Sequence, residues 1–324
     1  MPLPEKTLIA QIRRQASSPK RRSQILAGIG DDCAVLRLKP QQDSLVTADF
    51  SLEGIHFRRD WHPPDSVGHR CLARGLSDIA AMGGEPVAIF LSLALPRDLP
   101  QSWVQEFMRG LLALAKKYGV TLAGGDTAES PNGILADIIV LGAVPKNSAI
   151  LRSTARPGDS IYVTGSLGGS AAALEQMRAQ PRKKLNPRHY PRHFYPDPRL
   201  AVARILRERR LASAMIDLSD GLSTDLAHIC DESQAGAELQ AASIPRARVG
   251  QPAREVDEHL ALHGGEDYEL LFTAPPNKGI PTKLAGVRIT KIGRITSKRG
   301  IHLITANHVA HQLHPQGWEH FRKD

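Results

Sequence analysis

Again and again along this chain, apolar runs of strand type meet aspartate. Leu45-Val46-Thr47-Ala48 runs into Asp49, and Val120–Ala123 runs through two glycines into Asp126. Ala214-Met215-Ile216 runs into Asp217, with Asp220 three residues on, and Asp31-Asp32 stand just before Cys33-Ala34-Val35-Leu36. Asp78 joins them inside Leu76-Ser77-Asp78-Ile79. Acids ordinarily face solvent or cap helices. Taken singly, Asp220 reads as a cap for a helix starting at Gly221 and Asp126 as a turn residue. Asp78 resists such a reading, because the C-terminal half of a helix disfavours an anion by roughly 0.3–1 kcal/mol.

The elements carrying these acids alternate. Pro4–Gln15 reads as an amphipathic helix. Asp65 to Met82 reads as a helix with Asp65 as its cap, a stripe of Val67, Cys71, Leu72, Leu76 and Ile79, and a stop at Gly83-Gly84. Val87–Leu95 is a strand, Trp103–Tyr118 a helix, and Val120–Ala123 and Ile134–Val144 are strands. Beyond Ala149 come a strand at Ser160–Thr164, the glycine-rich Gly165–Ser170, and helices at Ala171–Ala179, Leu200–Leu211 and Gly221–Ser233. Strands follow at Ala214–Ile216, Leu270–Ala274 and Val287–Ile295. The basic, proline-rich Gln180–Pro198 between them reads as a surface loop. The expectation is an α/β (α+β) protein of two units, residues 1–148 and 149–324. A length of 324 residues suits about two domains.

Converging aspartates repel and raise one another's pKa unless a cation lies between them. Carboxylate oxygens suit Mg²⁺, which is often shared with substrate phosphates. Charge neutralisation and alignment are most of what phosphoryl transfer requires. Gly124-Gly125 and Gly165–Gly169 offer backbone N–H donors for phosphate. The chain has no G-x-x-x-x-G-K-[ST], no protein-kinase signature set, no G-x-S-x-G and no H-E-x-x-H.

Composition narrows the partners. A formal charge of +9 fits either nucleic acid or phosphorylated small molecules. The basic clusters Arg13–Arg22, Arg178–Arg199, Arg204–Arg210 and Lys291–Arg299 carry no nucleic-acid-binding signature, which favours general anion attraction. Cys33, Cys71 and Cys230 form no C-x-x-C pair, which fits a reducing compartment and not a disulfide scaffold. Met1–Ala10 has no apolar signal region, and no run approaches a membrane span. A cytoplasmic protein without membrane or nucleic-acid partners is expected.

Eight ordered segments resemble thiamine-monophosphate kinases (ThiL type) of the PurM-like ATP-binding superfamily. They are GIGDDCAVL (Gly28–Leu36), TADFSLEGIHF (Thr47–Phe57), LSDIAAMGGEP (Leu76–Pro86), GGDT (Gly124–Thr127), VTGSLGGSAAAL (Val163–Leu174), IDLSDGLSTDL (Ile216–Leu226), HGGEDYELL (His263–Leu271) and Gly317-Trp318. The resemblance implies a two-domain PurM-like fold. Its N-terminal mixed α/β domain would bind ATP and Mg²⁺ and form a β-rich interface of a homodimer; its C-terminal α/β domain would complete the ATP and substrate site. It implies several Mg²⁺ ions on Asp32, Thr47, the Ala48 backbone, Asp49, Asp78, Asp126, Asp217 and Asp220. ATP would meet Gly125, Asp126, Arg152 and Ser219, and thiamine monophosphate would meet His56, Glu266 and Trp318. The reaction implied is direct in-line transfer of the γ-phosphate of ATP, with no catalytic residue beyond the metal aspartates. The sequence departs from the family's pattern at Ala48, where threonine is frequent, and at Ala128-Glu129, where Thr/Arg-Ser-Pro often follows GGDT. The alternatives are another PurM-like ATP-dependent synthetase, such as a selenophosphate or aminoimidazole-ribonucleotide synthetase or a hydrogenase-maturation relative, and a basic nucleic-acid-binding protein using Gln180–Arg210.

Overall fold

The structure is a computed structural model that describes residues 3, 5–16, 25–27, 35–36 and 38–318. Asp31, Asp32 and Cys33 lie outside the described residues. The chain divides into two units: residues 1–79 with 84–147, and residues 80–83 with 148–324.

The first unit runs α1 (Glu5–Ala16), β1 (Ile25–Ala27), β2 (Val35–Leu36), β3 (Gln42–Leu52), α2 (Pro64–Ala81), β4 (Glu85–Pro96), α3 (Gln101–Tyr118), β5 (Thr121–Ser130) and β6 (Leu135–Pro145). Its main sheet has the order β3-β6-β4-β5, with only β4 and β5 parallel. That parallel pair needs a crossover, and α3 supplies it. The expected stripe of α2 is buried throughout, and Trp103, Phe107, Leu111 and Leu114 bury the matching stripe of α3. Phe57, Trp103 and Phe107 stack in series. The sheet alternates as strands do: Ile89, Leu91 and Leu93 of β4 and Ala136, Ile138 and Val140 of β6 are buried. The residues between them are not. Val46, Ala48 and Phe50 of the edge strand β3 are exposed, Val46 at 69%. Ile139 and Leu141 beside them are only half-buried.

The second unit contains β7 (Ser160–Thr164), α4 (Gly169–Ala179), α5 (Pro191–Phe194), α6 (Leu200–Glu208), β8 (Ala214–Asp217), α7 (Leu222–Glu232), β9 (Gly236–Gln240), β10 (Arg248–Val249), β11 (Arg254–Glu255), α8 (Glu258–His263), β12 (Leu270–Ala274), β13 (Lys283–Leu284), β14 (Val287–Thr296), β15 (Gly300–Ile304) and β16 (Ala310–Gln312). Its eight-stranded sheet has the order β16-β15-β9-β14-β7-β12-β8, with β13 beside β14. Ile161, Val163, Ile216, Leu271 and Ile292 of the sheet meet Leu222, Leu226 and Ile229 of α7 in one core.

Four local expectations change. Gly124-Gly125-Asp126 is not a turn, because β5 continues to Ser130. Asp65 does not cap α2; it lies in the first turn and pairs with Arg109 at 3.3 Å. Asp220 does not cap α7; Gly221 occupies that position without a side-chain cap, and Asp225 takes over the N–H groups. Gln180–Pro198 is not wholly a surface loop. His193 and Phe194 are buried, with His193 Nδ1 2.9 Å from Ser170 Oγ, and Arg192 reaches the buried Glu269.

Candidate active site

In the first unit, β3 sets Thr47 and Asp49 on the same side, two residues apart, towards α2. Thr47 Oγ1 donates to Asp78 Oδ2. Asp49 Oδ2 is buried without a hydrogen-bond partner among the described residues. Burial first, and then the charge of Asp78, push the Asp49 carboxyl up to about 7, while Arg74 pulls it down. A hydroxyl and two crowded carboxylates, one oxygen of them orphaned, are what a hard cation offsets. The donor set fits Mg²⁺. Arg74 fixes the strand end from below, donating to Phe50 O at 2.9 Å. His56 lies in the turn after β3, its Nδ1 accepting from Leu52 N at 3.0 Å.

Asp126 stands elsewhere on the same sheet. The register runs Asp49–Ile138, Ile138–Leu91, Leu91–Gly125, so Asp49 and Gly125 occupy one cross-strand row at opposite edges. Three strand spacings, about 14 Å, separate them. One chain alone does not bring Asp126 to Asp49. Asp126 is exposed, and its Oδ1 accepts from Thr127 N at 2.8 Å.

In the second unit the expected residues do converge. Asp217 ends β8, buried, and its backbone pairs with Leu270 of β12. The loop that follows is tied to the HGGEDYELL segment at each step. Leu218 N donates to Glu269 O at 2.8 Å, Tyr268 N to Leu218 O at 2.9 Å, and Glu266 N to Ser219 O at 2.8 Å. Trp318 N donates to Asp220 O at 3.3 Å, and its ring is 52% exposed. A β-carbon on Gly317 would lie 2.0 Å from Asp220 O, so only glycine admits that approach. Asp217, Ser219, Asp220, Glu266 and Trp318 thus share one loop cluster. Arg152 does not join them: its carbonyl accepts from Ser233 Oγ at 2.7 Å, at the other end of α7.

Three acids that the sequence reading did not single out hold this cluster. Asp225 Oδ2 accepts from the N–H groups of Ser219, Asp220 and Gly221 at 3.1, 3.1 and 3.0 Å. Burial, Asp217 and Asp220 raise its pKa well above the ordinary range. Ligand atoms of Asp220, Asp225 and His228 lie within 4.8 Å of one another. Asp267 is buried and accepts from Gly168 N at 2.6 Å and Ser170 N at 3.3 Å. Burial pushes it up to about 7. Glu269, fully buried, accepts from Thr164 Oγ1 at 2.5 Å, from Arg199 at 2.6 Å and from Arg192. Its burial opposes ionisation, yet the two guanidiniums outweigh that and hold its pKa below the usual value. Glu266 and Tyr268 adopt φ of 63° and 50°, which few residues other than glycine do. The alternation of acids in Glu266-Asp267-Tyr268-Glu269 was a legible signal for this ladder.

Residues 30–144 match the family of the AIR synthase related protein, N-terminal domain, and residues 156–305 match its C-terminal domain. The thiamine-monophosphate kinase of Salmonella typhimurium is 40% identical over 288 residues, covering 85% of this chain and 86% of that protein. The chain belongs to the thiamine-monophosphate kinase family. The fold agrees. The crystal structure of thiamine-monophosphate kinase from Stenotrophomonas maltophilia superposes with a TM-score of 0.79 at 34% identity, covering 91% of this chain and 95% of that one. AaThiL complexed with AMPPCP and TMP superposes with a TM-score of 0.77 at 30% identity, covering 98% and 97%. Membership fixes the two-domain PurM-like fold expected from the sequence. Among the described residues, no helix is long and apolar enough to cross a membrane.

Proposed function

We propose that this protein is a Mg²⁺-dependent kinase that transfers the γ-phosphate of ATP to thiamine monophosphate, giving thiamine diphosphate and ADP. The observation that carries the reading is the likeness, over nearly the whole chain, to a ThiL protein complexed with AMPPCP and TMP. AMPPCP stands in for ATP, with a carbon in place of the oxygen bridging the β- and γ-phosphorus atoms. The Thr47–Asp49–Asp78 set supports the metal.

The acceptor is a phosphate oxygen that is already anionic, so no strong general base is needed. That oxygen attacks the γ-phosphorus as the bond to the ADP oxygen breaks. Magnesium ions supply charge neutralisation on the phosphates. Thr47, the Ala48 carbonyl, Asp49 and Asp78 hold them in the first unit, with Asp126 and the sequence-assigned Asp32. Asp217 and Asp220 hold them in the second. Gly125, Asp126, Arg152 and Ser219 position the nucleotide. Glu266, His56 and Trp318 receive thiamine monophosphate, the exposed indole stacking on the cationic thiazolium. Burial pushes the thiols of Cys71 and Cys230 up to about 12, which keeps both out of nucleophilic chemistry and fits single-step transfer. Free buried thiols also fit a reducing, cytoplasmic setting.

The functional unit in this reading is a homodimer. β3 and β5 are the two edges of the first sheet among the described residues. The face carrying Val46, Ala48, Phe50, Ile139 and Leu141 is an apolar surface that a second copy covers. Pairing β3 of one copy with β5 of another closes both edges. It also brings Asp126 beside the strand that carries Asp49.

The test is incubation with Mg-ATP and thiamine monophosphate, with thiamine diphosphate as the readout. No product from folded protein sinks the proposal. Retention of configuration at the transferred phosphorus would overturn the single in-line step alone.

A further inference from the structure

A cavity of about 920 Å³ opens in the second unit, and five of its lining residues are arginines. Apart from Gly165 and Ser166, which belong to the glycine-rich stretch read from the sequence as a phosphate donor, none of its lining residues is assigned above to ATP, metal or thiamine monophosphate. Its centre is the turn Gly165-Ser166-Leu167, to which each arginine is tied. Gly165 N donates to Arg288 O at 2.9 Å. Leu167 N donates to Pro245 O at 2.8 Å and Leu167 O accepts from Ala247 N at 2.9 Å, which sets Arg246 and Arg248 along the same wall. Behind the turn, Glu269 anchors Arg192 and Arg199. Gly165 has φ 60°, and a β-carbon there would lie 2.1 Å from Glu269 Oε1. The turn can therefore press against the arginine anchor only as glycine.

The charges in the cavity do not balance. Arg246 pairs with Glu255. Arg192 and Arg199 share Glu269, and Arg199 also pairs with Asp197 at 3.7 Å, so the excess lies with Arg248 and Arg288. Arg248 donates to Ala253 O at 3.2 Å, a neutral partner. Arg288 makes no ion pair among the described residues. Glu258 is the one further lining carboxylate. Guanidinium groups arranged around an open basin, in excess over the acids, match phosphate geometry through their paired N–H donors. The volume lies within the range of small-molecule sites.

We propose that this cavity is a second, separate site that binds a diphosphate-bearing small molecule. The phosphates lie against Arg248, Arg288 and the exposed sides of Arg192 and Arg199. Ser166 closes one end.

Isothermal titration with inorganic pyrophosphate in EDTA tests it, since EDTA leaves the carboxylate site without the metal that phosphates need there. Saturable binding is expected for the wild-type protein and for Asp126→Asn. In the double variant Arg248→Ala/Arg288→Ala it weakens by at least about tenfold. The same double variant keeps its turnover of Mg-ATP and thiamine monophosphate within about twofold, which shows that the fold survives. ADP serves as a competitor: displacement of pyrophosphate assigns the ligand to nucleoside diphosphates, and failure to displace assigns it to diphosphates without a base; both uphold the site. Absence of saturable binding, equal binding by the double variant, or loss of binding in Asp126→Asn overturns the proposal.

Discussion

Asp49→Asn and Asp126→Asn should each abolish turnover, yet mixing the two proteins should restore part of it. Asp49 shares a cross-strand row with Gly125, the residue before Asp126, and the two strands are the opposite edges of a four-stranded sheet, about 14 Å apart. Two oxygens on one Mg²⁺ lie no more than about 4 Å apart, because each sits about 2 Å from the ion. Two aspartate side chains cannot close that gap within one chain. If the edges of two copies pair, each site takes Asp49 from one copy and Asp126 from the other. A dimer of Asp49→Asn with Asp126→Asn then holds one doubly damaged site and one intact site. Random subunit exchange makes half of all dimers mixed, so the mixture recovers about a quarter of wild-type turnover. The assay is thiamine diphosphate formation per protomer, after exchange in mild urea and its removal. Circular dichroism confirms that each variant is folded. A mixture no more active than its components would refute the shared site and the edge-pairing argument with it.

Four further outcomes follow from the described contacts. Glu269→Gln leaves the half-buried Arg192 and Arg199 against a neutral partner, with Arg199 keeping Asp197, and should cost about 2–4 kcal/mol, read by urea denaturation. Asp267 has a folded-state pKa of about 7, above its unfolded value, so its contribution is fully present at low pH and is lost as pH rises from about 4 to about 7; Asp267→Asn should flatten that fall, which amounts to at most about 4 kcal/mol. Leu76→Ala empties a fully buried position of α2 and should lower stability by about 2–5 kcal/mol without a selective loss of ATP affinity. Gly317→Ala forces a methyl against Asp220 O and should raise KM for thiamine monophosphate more than KM for ATP, a split visible in initial rates.

Much of this molecule was legible before any coordinates. β7, β8 and β12 fall where apolar runs of three to five residues are bounded by turn residues, because fully buried strands leave no other signature. The stripe of α2 was equally plain, since its spacing of three and four is kept from Val67 to Ile79, over about three and a half turns. β9, α8, β15 and β16 went unread: they are short, and polar residues such as Glu238, Gln240, His302 and Gln312 interrupt them. The lone aspartates were readable as a site because acids at strand ends conflict with burial. Asp225 was not, because an acid in the first turn of a helix needs no special explanation. Its role depends on the backbone of the preceding loop folding back over it. Arg192 was hidden for a similar reason. A proline-rich basic stretch gives no sign that one of its arginines turns inward to meet a glutamate 77 residues away.

Asp225 has a consequence for what the neighbouring loop can hold. Three consecutive amides that would otherwise form a cradle for an anion are all spent on one carboxylate oxygen. What remains beside the loop is carboxylate, the buried Asp217 and the half-buried Asp220, since the carbonyls of Leu218, Ser219 and Asp220 already accept from Tyr268, Glu266 and Trp318. Those carboxylates repel a bare phosphate, so on the proposed reading a nucleotide tail would dock there behind a cation. In that reading, the backbone would thereby favour the metal-loaded form of the nucleotide.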